Sequence, residues 1–154
     1  MLPIYRGKRT DGSWISGCLI YDPESMQVLG IISNDPDVHP LDMPYMDAGC
    51  VDGHFPTVDP ETIGMCTGLK DRNGQWIFEG DIIRTHYANA PKSDFVEQAA
   101  FHNGRFCGMY ERDRMKMWSS LPDGIMRLPQ DKSVYMEWCE VIGNIHDNPE
   151  LLEV

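Results

Sequence analysis

Turn-forming residues interrupt this chain so often that no stretch keeps a helical period for long, and this spacing constrains the fold more than any other feature. Between Thr62 and Arg84, short apolar runs alternate with Gly64, Gly68, Asp71-Arg-Asn-Gly74 and Glu79-Gly-Asp81. Asn73-Gly74 supplies the positive-φ positions of a tight hairpin, which predicts strands over Met65–Leu69 and Gln75–Phe78. Ile82–Tyr87 alternates as a half-buried strand does. Phe95–Phe101 and Arg105–Tyr110 flank His102-Asn-Gly104 as a second hairpin. Nearer the start, Trp14–Tyr21 and Met26–Ile32 flank Asp22-Pro-Glu-Ser25, and Val134–Ile142 reads as the last long strand. After Gly143-Asn144, Asp147 or Asn148 is placed to cap a short C-terminal helix opening at Pro149, with Glu150 near its positive end. Residues 111–133 show no clear order. The expected fold is mainly β (α+β), a small curled antiparallel sheet of the barrel kind with a β-rich N-terminal lobe.

At 154 residues the chain has the size of one domain and can bury about 68–70% of its unfolded surface. Residues 1–60 hold three basic and nine acidic residues, the remainder ten and fifteen. That asymmetry divides a single domain, 1–154, into sub-lobes 1–60 and 61–154. The first ends in a segment over 33–61 with a proline every few residues, each of which removes a backbone donor and biases its predecessor away from helix. A connection of that length is either functional or mobile.

The net charge of −11 opposes binding to phosphate backbones, because affinity there comes from clustered Lys and Arg displacing counterions. No direct contact with nucleic acid is expected. Apolar runs fall far short of the roughly 18 residues that span a bilayer, and Met1–Arg9 is not followed by a signal-peptide core. No membrane association is expected, and a cytoplasmic location is. Five cysteines at wide spacings, with no Cys-x-x-Cys, support neither a disulfide framework nor a zinc cluster.

Candidate chemistry is sparse. Glu79 and Asp81 could form an acid–base pair or hold a divalent ion, but a Gly-Asp turn explains them more simply. Asp35, Asp37, His39, Asp42 and Asp47 lack the glycine and terminal bidentate acid of a calcium loop. His54, His86, His102 and His146 lack the i, i+4 spacing of a zinc helix. Cys107 and His102 face each other across a predicted turn, a weak arrangement for a nucleophile. No catalytic residue, cofactor or metal is assigned, and the chain is expected not to be an enzyme. Trp14, Trp76 and Trp138 fall in strands and are expected in the core. Met115, Met117 and Trp118 form the best candidate protein-binding cluster, flexible methionines beside an aromatic anchor.

Thr62–Arg84 and Glu140-Val-Ile-Gly-Asn-Ile-His-Asp-Asn-Pro-Glu-Leu-Leu152 together resemble the two signature stretches of the YopX family of phage and prophage proteins, and Tyr5–Gly17 is similar to the family's opening more loosely. The chain departs from the family pattern at Met65-Cys66 and His146-Asp147. The resemblance implies a phage or prophage origin, action inside a bacterial host, an SH3-like barrel and possible self-association. It transfers no catalytic residue. The function expected is therefore that of an accessory or regulatory protein acting on a host or phage protein, or on copies of itself. The alternative is a small ligand-binding or enzymatic domain with its site between the proline-rich segment and the barrel.

Overall fold

The computed structural model describes residues 3–33, 58–88, 94–112, 115–121 and 135–153. The proline-rich segment lies almost wholly outside them, and with it the cluster of Asp35, Asp37, His39, Asp42 and Asp47, and His54. Two compact units divide between Met65 and Cys66.

In the first unit, β1 (Tyr5–Lys8), β2 (Trp14–Tyr21) and β3 (Val28–Ser33) pair antiparallel in the order β3-β2-β1. The other side of β1 meets the start of β4 (Gly64–Lys70), with Tyr5 opposite Met65 and Arg6 opposite Gly64. Gly7 is required by a close approach: a Cβ there would stand 2.9 Å from that of Val58. A 3-10 turn, Pro60–Thr62, is capped by Asp59, and the buried Thr62 hydroxyl accepts from Lys8 N at 2.8 Å. Ile31, fully buried, centres this unit.

The second unit carries the rest of β4 with β5 (Trp76–Phe78), and a sheet in the order β10-β6-β7-β8-β9. Its strands are β6 (Asp81–Ala88), β7 (Asp94–His102), β8 (Arg105–Arg112), β9 (Met115–Ser120) and β10 (Tyr135–Asn144), all antiparallel. β10 is irregular in register at Met136/Trp138 and Val141/Gly143. Ile77, Ile83, Ala99 and Cys139 form the core, with Leu69, Leu121 and Val141 packed against them. Ile83 and Ala99 share a face because strand side chains alternate, and Ile83 stands opposite Glu97 on β7.

The structure revises three expectations. Among the described residues no barrel closes, since β9 and β10 end the second sheet at opposite edges without pairing to each other, so an SH3-like closure is not seen there. The C-terminal helix is a single 3-10 turn, Pro149–Leu152, in which Asn148 occupies the cap position without a side-chain hydrogen bond. Glu111 and Arg112, and residues 115–120, which show no clear order in the sequence, belong to β8 and to β9. Among the described residues no helix is long and apolar enough to cross a membrane.

Candidate functional site

The two motif blocks build structure. Asp71, only 5% exposed, takes three backbone amides on its carboxylate: Asn73 N at 2.8 Å and Gln75 N at 2.9 Å on Oδ1, and Val141 N at 3.1 Å on Oδ2. Arg72 N adds a bond to Cys139 O at 2.9 Å, so the turn that closes the β4–β5 hairpin is bolted to β10. Asp81 Oδ2 accepts from Phe78 N at 2.7 Å, which fits a turn device beside Gly80 (φ +86). At the second block, Asn144 Oδ1 accepts from His146 N and Asp147 N, while its Nδ2 donates to Asp147 Oδ2 at 2.9 Å. Apart from the long-range bonds that reach β10, these are local bonds of the kind that fix turns.

The two buried cysteines, Cys107 and Cys139, are poorly suited to act as nucleophiles. Burial pushes the Cys107 thiol up, and it donates to Ala100 O at 3.5 Å. Burial, with the Asp71 charge behind it, pushes Cys139 up to about 11. A nucleophilic cysteine needs the opposite shift. His102 does not serve Cys107 as a base; it stacks on Trp118, with ring centroids 3.9 Å apart and planes 5° from parallel. Among the described residues no group of three or more His, Cys, Asp or Glu is arranged to hold a metal.

The proposed binding cluster is divided by the strand that carries it. Met115 and Trp118 lie three apart on β9, whose register with β8 runs without a break, so they project from opposite faces. Met115 is 63% exposed and Trp118 37%. Met117 stands opposite Tyr110. The grouping that replaces the sequence cluster is Trp118, on the outermost strand of the sheet among the described residues, with His102 at the end of β7 beside the β7–β8 turn. Sequence reasoning missed His102 as its partner because the two are brought together only by pairing through β8.

A second outer cluster joins β6, β7 and β10. His86 Nδ1 lies 2.6 Å from Asp94 Oδ1, and its ring stacks on Trp138 at 4.9 Å. The Arg72 guanidinium covers Trp138 at 4.3 Å. Trp138 is half-buried as a result. Trp76, expected in the core, is 40% exposed under the Lys70 ammonium, because Ile77 takes the inward position of that three-residue strand.

The core face also contains a buried acid. Glu97 is 2% exposed and faces Ser119 and Thr85 across a gap left by Gly108. Neither Glu97 Oε2 nor Ser119 Oγ makes a hydrogen bond of good geometry. The two hydroxyls favour the carboxylate, but burial outweighs them and raises its pKa. The folded state therefore holds this proton more tightly than the unfolded chain. Its contribution to stability is complete below the ordinary Glu range, about 4.3, and is lost as pH rises through the raised folded value. Unfolding of wild type and Glu97→Gln across that range should show wild type losing ground to the variant as pH increases. Parallel profiles would show that Glu97 ionises in the fold without cost.

No curated protein matches the chain. Among solved structures it is similar to protein EF1440 from Enterococcus faecalis, at 28% identity over 99% of each chain with a TM-score of 0.53. The family model described as YopX protein matches residues 42–153, well over half the chain and including both turn-building blocks. The chain belongs to the YopX family.

Proposed function

We propose that this YopX-family chain is a phage- or prophage-encoded accessory protein of the bacterial cytoplasm that works by binding a protein rather than by catalysis. One observation carries the reading: β9, paired only with β8 among the described residues, ends the sheet and presents Trp118 stacked on His102. An outer strand offers a row of backbone donors and acceptors to an added strand, and an aromatic beside it supplies an anchor. The net charge of −11 favours a basic partner segment.

Affinity capture from nuclease-treated lysate of a bacterial host tests this, comparing wild type with Trp118→Ala and Trp76→Ala. A near-stoichiometric host or phage protein should be held by wild type and by Trp76→Ala, and recovered about tenfold less by Trp118→Ala, as expected when a central anchor worth about 1.4 kcal/mol or more is lost. Equal recovery by all three would remove the role of β9. Capture of the chain's own copies alone would replace a foreign partner by self-association.

A further inference from the structure

The chain contains two Asn-Gly pairs, Asn73-Gly74 and Asn103-Gly104, both in hairpin turns. This dipeptide is chemically labile. The glycine amide nitrogen can attack the asparagine Cγ, forming the N–Cγ bond of a succinimide while the Cγ–Nδ2 bond breaks and ammonia leaves with the amide proton. Water then opens the ring at either carbonyl, giving aspartate or isoaspartate. Both turns are exposed, and they differ in how their reacting groups are held.

At Asn73-Gly74 each reacting group is engaged. Asn73 Nδ2 donates to Glu140 Oε1 at 3.2 Å, Gly74 N donates to Asp71 O at 3.0 Å, and Asn73 N is held by the Asp71 carboxylate. That buried negative charge also opposes the amide anion the attack requires. Opening the turn breaks the bonds that bolt it to β10. At Asn103-Gly104 both residues have positive φ, +50° and +78°, as in a two-residue type I′ turn closed by His102 opposite Arg105. Among the described residues, no hydrogen bond reaches the Asn103 side chain or the Gly104 amide. Both residues are exposed, and the adjacent Arg105 brings positive charge to the developing anion. Only the last pair of the ladder must fray for ring closure, and ladder ends open at little free-energy cost.

We infer that Asn103-Gly104 is a site of spontaneous conversion to aspartate and isoaspartate, and that Asn73-Gly74 is protected by its fold. The site follows from the turn alone and requires no partner. Isoaspartate adds a backbone methylene to a two-residue turn, which no longer matches the type I′ geometry and displaces His102 from Trp118.

The test is ageing of the intact folded protein in mildly alkaline buffer, with peptide mapping by mass spectrometry and enzymatic methylation of isoaspartate, beside the same protein held unfolded in urea. In the folded protein, conversion at Asn103 should exceed that at Asn73 by about tenfold or more, the ratio that an opening difference of about 1.4 kcal/mol produces. In urea the two should convert at similar rates, since both are Asn-Gly. Equal folded rates, faster conversion at Asn73, or no conversion at Asn103 on the timescale of the urea control would overturn the inference.

Discussion

Asp71→Ala should lower the thermal midpoint by about 10 °C. The substitution strips the acceptor from three backbone amides, two within the turn and one at Val141, at a position only 5% exposed. Hydrogen bonds to a charged group are each worth about 1.5–3 kcal/mol net, and buried donors left unmatched cost about 1–3 kcal/mol. The three share one carboxylate and do not add, so a total of about 3–5 kcal/mol is expected, at about 2–4 °C per kcal/mol for a chain of this size. Asp71→Asn keeps one acceptor oxygen but presents an NH2 group toward an amide, and should fall between. Circular dichroism melts check the order, and faster amide exchange at Val141 localises the loss. A midpoint for Asp71→Ala within about 2 °C of wild type would mean that the turn holds to β10 without its carboxylate.

Gly108→Ala should cost about 2–3 kcal/mol, although alanine suits a strand better than glycine does. Its Cβ would collide with Ser119 Oγ and stand 2.8 Å from Oε2 of the buried Glu97, and both of these side chains lie on the core face with their polar atoms buried. Overpacking and the displacement of a buried polar group act in the same direction. Ser119→Ala removes the nearer obstacle. The double variant should therefore be more stable than the two single effects predict, by about 1 kcal/mol in a denaturant-unfolding cycle. Additivity within about 0.3 kcal/mol would show that the strands shift to admit the methyl.

The hairpins were legible because their turns are written in local chemistry. Trp14–Tyr21 matches β2 residue for residue, and Asn103-Gly104 sits where a type I′ turn demands it. β9 was not legible, since Met-Lys-Met-Trp-Ser-Ser has no alternation of its own and becomes a strand through pairing with Arg105–Arg112. Glu97 is the sharper failure. In Phe95-Val-Glu-Gln-Ala-Ala-Phe101 alternation puts residues 95, 97, 99 and 101 on one face, yet the aromatics at its two ends are 42% and 48% exposed while the acid and the alanine in its middle are buried. The space for that acid is made by a glycine on the next strand and a serine on the one beyond, which no local pattern records. Trp118 was singled out as a candidate anchor, but its companion His102 lies on another strand and was weighed only as a zinc ligand and as a base for Cys107.

The strand order also imposes a timetable. β10 flanks β6 although more than forty residues separate the two along the chain, and Asp71 waits for Val141. During synthesis the nascent chain displays β6 with one bare side, and the motif hairpin lacks its bolt, until Asn144 has cleared the ribosome. Non-local closure of this kind is slow and leaves strand edges available to wrong neighbours meanwhile. The last strand to be made thus decides when the sheet of the second unit stops being an aggregation hazard.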